Sequence, residues 1–207
     1  MAGGALVAGG VQQLTQDPVV QAQDFSATRV EATATAPIRI PAPSDHEQSP
    51  LPGALTAVAH APTPVPPTQV TLPGVTAELV PVGVLPSGEL QLPADPARVG
   101  WWAAGSLPGE EEGTVVLAGH MDGLRRGGAM SALLDVEPSD VVALEDSRGR
   151  VHEYRVVERS TTPQESLDPA LFATDGAHRL VLVTCGGTYD EETGRYSENI
   201  VVIAEPA

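Results

Sequence analysis

A chain of 207 residues with 42% apolar side chains has enough material for one ordinary domain with its own core, plus a tail. Its formal net charge of −16, with no basic cluster larger than Arg125-Arg126, excludes nonspecific attraction to nucleic acid or anionic lipid and leaves neutral or cationic partners. A single cysteine excludes an internal disulfide and an all-cysteine metal cluster, so the lone thiol is either an inert core residue or a reagent.

The first residues, 1–11 (MAGGALVAGGV), are apolar but shorter than the roughly 20 residues that cross a bilayer. They have neither a basic leader nor a cleavage site and so do not read as a signal peptide. They read as the remnant of a membrane anchor or as a plain disordered terminus. Residues 12–67 read as a Pro/Ala-rich linker, largely irregular, with nine prolines between Pro37 and Pro67. From Thr68 to Ala207 the texture changes to short apolar runs separated by Gly, Pro and Asp. Strands are expected at Glu78–Val84, Thr114–Ala118, Val141–Glu145, Val151–Glu158, Arg179–Thr184 and Asn199–Ala204. Their number and shortness predict an all-β barrel or sandwich. One short helix is expected at Ala129–Asp135 and a second turn at Pro169–Ala173. Ser147-Arg148-Gly149 reads as a hairpin turn, because glycine takes the positive φ that such turns need.

Two residues occupy parallel settings. Cys185 ends the run Arg179–Thr184 and is followed by Gly186-Gly187, so a rigid strand is expected to give way there to a flexible loop. A thiol at such an address is held by the sheet while the glycines admit a substrate backbone. His120 follows the apolar run Thr114–Ala118 and the break at Gly119. An imidazole there can stabilise a thiolate beside it or protonate a departing amine. Acyl transfer also needs a group for the oxyanion, and Arg195 is the only basic residue between Cys185 and the C-terminus. In the acidic stretch from Tyr189 to Arg195 the same arginine is equally suited to a surface ion pair. His120 and Asp122 form an H-x-D pair, but no second His or Cys cluster completes a zinc site, so no metal and no cofactor are expected.

The run Leu182-Val183-Thr184-Cys185 resembles the Thr-Leu-x-Thr-Cys signature of sortases, and Leu117-Ala118-Gly119-His120 resembles their histidine strand. Val99-Gly100-Trp101-Trp102 and the stretch Thr193-Gly194-Arg195-Tyr196-Ser197-Glu198-Asn199-Ile200-Val201-Val202 are similar to the actinobacterial type called class F. The resemblance implies an eight-stranded barrel behind an N-terminal membrane helix, placed outside the cytoplasm on the membrane of a Gram-positive bacterium. It implies a cysteine transpeptidase that cleaves an LPxTG-like signal of surface proteins between Thr and Gly through a thioacyl enzyme. The acyl group then passes to an amine on a peptidoglycan precursor or pilin, or to water. His120, Cys185 and Arg195 would be catalytic and Thr184 would bind substrate. Many relatives carry the essential arginine two residues further on, where this chain has Ser197; Arg195 and Ser197 share a face of an extended strand, so Arg195 can substitute, or else Asn199 or a backbone N–H takes the oxyanion. The order of His before Cys argues against L,D-transpeptidases and papain-like peptidases. The competing reading is a non-catalytic surface β-domain, a degenerate sortase acting as a binding module.

Overall fold

A computed structural model of the chain describes residues 19–20, 23–26, 63–85, 89–122 and 127–207. Among these residues, strands alternate inward and outward side chains and share one sheet. They are β1 (Val19–Val20), β2 (Phe25–Ser26), β3 (Pro67–Leu72), β4 (Val75–Val82), β5 (Val99–Trp102), β6 (Thr114–Gly119), β7 (Val141–Asp146), β8 (Val151–Pro163), β9 (Arg179–Asp190) and β10 (Arg195–Pro206). Strands β3 to β10 lie in the order β9-β10-β8-β7-β3-β4-β5-β6, and pairing of β6 with β9 closes them into an eight-stranded barrel. This is the all-β barrel expected from the sequence.

The barrel is filled by Val70, Val115, Leu117, Leu144, Tyr154, Leu180, Leu182, Ile200 and their neighbours, all buried. The short helix is a 3₁₀ turn, Ala129–Leu134, which inserts Met130 and Leu133 into this core. Gly119 is required beneath it, because a Cβ there would lie 2.7 Å from Met130 Cγ. The second turn, Pro169–Phe172, starts where Asp168 accepts a hydrogen bond from the Ala170 amide at 2.9 Å and proline supplies the first helical position. The hairpin at Ser147-Arg148-Gly149 is present, with Gly149 at φ 76°.

Four expectations change. β3 and β5 lie outside the expected runs, the first because it starts inside the proline-rich stretch and the second because it is only four residues long. β8 runs on to Pro163 through the polar Ser160-Thr161-Thr162, held by β10. β9 does not yield to a flexible loop at Gly186-Gly187 but continues to Asp190, paired with β10. Within residues 12–67, β1 pairs with β9 and β2 with β8, so parts of that stretch dock on the barrel. The expected anchor remnant, 1–11, and most of the linker lie outside the described residues. Among the described residues no helix is long and apolar enough to cross a membrane.

Candidate active site

Strands β6, β9 and β10 are buried on both faces, and the alternation of their side chains decides what points where. Val115, Leu117, Leu180, Leu182, Ile200 and Val202 belong to the barrel interior. Val181, Val183 and Val201 instead join Leu171 in a second cluster on the outer face. Continuing that alternation places Cys185 and Asn199, which are register partners on β9 and β10, on the outer face too. On the other side, Ala118 of β6 is opposite Val183 of β9 in a parallel pair. His120 is two residues beyond Ala118 and Cys185 two beyond Val183, so the two come level. Between them the Thr184 hydroxyl donates to the Gly119 carbonyl at 2.9 Å and stitches the strand ends together. The order across the sheet is therefore His120, Cys185, Asn199.

On its β6 side, Cys185 falls between two stretches of pairing among the described residues. The β9 edge is paired with β6 as far as Val183 and with β1 at Gly187 and Thr188, and the half-buried cysteine falls in the interval. Burial pushes its thiol pKa up, the Asp122 carboxylate adds to this, and the Arg195 guanidinium opposes both. The thiol is thus held mainly protonated at neutral pH, and a reactive thiolate exists as a minority species. His120 is half-buried, and its Nε2–H donates to the Pro93 carbonyl at 2.8 Å. A carbonyl only accepts, so in the neutral ring the lone pair is on Nδ1.

A groove of about 1050 Å³ opens over Cys185. Leu85, Leu90 and Leu92 line it from the β4–β5 connection, Leu167 and Phe172 from the β8–β9 connection, and Ala118, Val183 and Trp102 from the sheet and its edge. Trp102 and Phe172 meet edge to face at 5.5 Å. Polar groups enter through Gln164, Thr184, Asn199, Arg195 and Glu89. Arg195 is paired with Glu89, both more than half exposed, so the pair holds loosely and the guanidinium is free to change partner. Ser197 accepts a hydrogen bond from the Thr188 amide at 3.0 Å, within the irregularity that separates Tyr196 from Glu198 on β10. Gly187 is needed there: it has φ 78°, and a Cβ would lie 2.4 Å from Ser197 Oγ. Asn199 Nδ2 donates to the Gln164 carbonyl at 2.9 Å.

Cys185, Thr184 and Arg195 thus line one groove, with His120 next to its Gly119 wall. Glu89 and Gln164 carried no sequence signal, and Tyr196 carried one only as part of the stretch that resembles class F, because each gains its place at the site through the pairing of distant strands. Asp122 was visible only as half of a metal-like pair; here it accepts a hydrogen bond from the Tyr196 hydroxyl. His152 and His178 bond to the buried carboxylate of Asp146 and to the Tyr154 hydroxyl.

The family described as Sortase domain matches residues 65–207. The structure is similar to sortase A from Corynebacterium diphtheriae, a lid mutant, with TM-score 0.53 and 19% identity over 70% of this chain and 72% of that one. It is also similar to sortase C1 from Streptococcus agalactiae, with TM-score 0.53 and 20% identity over 68% of this chain and 66% of that one, slightly under two thirds of its length. A lid mutant of the same sortase C1 gives TM-score 0.51 and 20% identity, over 67% of this chain and 68% of that one. At such identities the likeness speaks for the fold. No curated protein matches the chain.

Proposed function

The chain belongs to the sortase family, and on that premise we propose that it is a cysteine transpeptidase acting on an LPxTG-like sorting signal, most akin to class F. The observation that carries this reading is the pairing of Cys185 with Asn199 in a groove suited to an extended peptide, with His120 directly after the adjacent strand β6, beside the groove's Gly119 wall. The apolar wall of Leu85, Leu90, Leu92 and Phe172 suits the Leu and Pro of the signal. Thr184, beside Cys185 in the groove, offers polar contact to the signal's backbone.

In the first half-reaction the Cys185 thiolate attacks the Thr carbonyl carbon. A C–S bond forms, the C–N bond to Gly breaks, and imidazolium at His120 gives its proton to the departing amine. In the second half an amine attacks the thioacyl carbon, His120 takes the amine's proton, and Cys185 leaves as thiolate. Arg195, released from Glu89, supports the oxyanion in both halves, with Asn199 as the neighbouring donor. The implied setting is extracytoplasmic, at the membrane of a Gram-positive cell, with surface proteins as acyl donors and a cell-wall or pilin amine as acceptor.

The test is mass spectrometry of the protein incubated with an LPxTG peptide, with and without glycinamide. The expected result is cleavage after Thr and an amide adduct, both lost in Cys185→Ala and His120→Ala. Cleavage that persists in either variant overturns the mechanism. A folded chain giving neither product would be a sortase barrel acting as a binding module.

A further inference from the structure

The loop that leaves β6 carries His120, Met121 and Asp122 in succession, and it is tied down at once. Met121 is buried, its carbonyl accepts from the Gly128 amide at 2.7 Å, and the His120 carbonyl accepts from the Met130 amide at 3.2 Å. Asp122 consequently emerges as an exposed carboxylate at a fixed place beside the histidine. From the opposite bank Tyr196, next to Arg195 on β10, donates its hydroxyl to Asp122. The Tyr196 ring is held against Tyr189 at 5.1 Å between centroids. Burial first, and then the bond to Asp122, push the phenol pKa well up, so it remains a donor across the neutral range. The Asp122 charge is felt at the thiol itself, where it adds to burial in favouring the protonated form. Among the described residues no cation is paired with Asp122, whereas Arg195 is engaged by Glu89.

A carboxylate that disfavours the thiolate works against the nucleophile of the first half-reaction, whereas its sign suits a cationic acceptor in the second. We propose that Asp122, oriented by Tyr196, is a specificity-determining residue that draws the acyl acceptor to Cys185 as an ammonium ion. This rests on the transpeptidase reading. Alkyl amines are protonated at neutral pH. A fixed negative charge at the mouth of the site raises their local concentration and does nothing for water, so it biases the thioacyl enzyme toward transfer over hydrolysis. The ammonium first releases one proton to solvent, and the resulting amine attacks the thioacyl carbon and gives its second proton to His120. The N–C bond forms, the C–S bond breaks, and the thiolate departs. Among the described residues, the charged groups around the site are Arg195, Glu89 and Glu165 in the groove and Asp122 beside His120.

One experiment needs no transpeptidase activity. Cys185 is labelled with a cationic methanethiosulfonate, the trimethylammonioethyl reagent, and separately with the anionic sulfonatoethyl reagent, at low ionic strength. The rate ratio cancels any change in thiolate fraction. The expected result is a cation-favouring ratio that falls about five-fold in Asp122→Asn, is kept in Asp122→Glu, and shrinks in the unmodified chain at 0.5 M salt, as about that much is expected of one exposed charge at contact range. A ratio that is unmoved by both Asp122→Asn and salt overturns the proposal. A second measurement partitions the thioacyl enzyme between glycinamide, charged at pH 7.5, and hydroxylamine, neutral there. The glycinamide share is expected to fall in Asp122→Asn. Products with an unmoved share would remove Asp122 and leave the transpeptidase standing. Absence of product with either nucleophile would remove the transpeptidase, and the acceptor role with it.

Discussion

Arg195 sits where two demands on one guanidinium meet. It pairs loosely with Glu89 across the groove, and its charge opposes the burial and the Asp122 field that hold the Cys185 thiol up. Removing it leaves the raising influences unopposed. In Arg195→Ala the pH profile of Cys185 alkylation is expected to move to higher pH, with slower reaction at neutral pH and convergence with the parent at alkaline pH. An unmoved profile would mean that the arginine's field does not reach the thiol. Cys185 and His120 were legible in the sequence because a polar residue directly after an apolar run and beside a glycine is a local pattern. Arg195 was legible only by elimination. The contacts of Glu89, Asp122 and Tyr196 were not legible, since they join segments 74 to 106 positions apart.

At the scale of elements, the β7–β8 hairpin shows how a turn is held shut. The Asp146 side chain is buried at its base, accepting from the Arg148 and Arg150 amides at 2.8 and 3.0 Å, from Arg150 Nε at 2.8 Å and from His152 Nε2 at 3.0 Å. Burial alone would raise its pKa, but the hydrogen bonds, led by that from His152, outweigh it and hold the carboxyl far below the usual range. A depressed folded-state pKa means that this contribution is complete above the unfolded value near 4 and is lost as pH falls below it. Asp146→Asn should therefore lower the melting temperature at pH 7, and the gap to the parent should narrow between about pH 4 and pH 2. A gap constant with pH would show that the charge is not what the hairpin uses. The turn itself was readable from Ser147-Arg148-Gly149, as was the apolar part of β9. The polar half of β8 and the glycines of β9 were not, because β10 and β2 rather than local composition keep them extended.

Across the whole molecule, a buried arginine joins the N-terminal stretch to the barrel. Arg159 on β8 donates to the Gln23 carbonyl at 2.8 Å, to Leu134 at 2.9 Å and to Val136 at 2.6 Å, and lies 5.2 Å from the Phe25 ring centroid. Its loss strands several buried carbonyls, so Arg159→Ala should destabilise by about 2 kcal/mol or more and lower the melting temperature by roughly 5 °C. Faster amide exchange at Phe25 and Ser26 should accompany it; unchanged exchange there would separate β2 from the clamp. Composition made the all-β barrel legible, but nothing local revealed that residues before the proline-rich stretch return to it. The pairing that closes the barrel, β6 with β9, links positions 65 apart in the chain. Such a contact repays its loop-closure entropy only after the intervening strands are in place. Since His120 directly follows β6 and Cys185 lies on β9 two residues past Val183, the two come level only when this barrel-closing seam is made. Under the proposed mechanism a nascent or half-folded copy is thereby kept chemically silent, and competence arrives only with the completed fold.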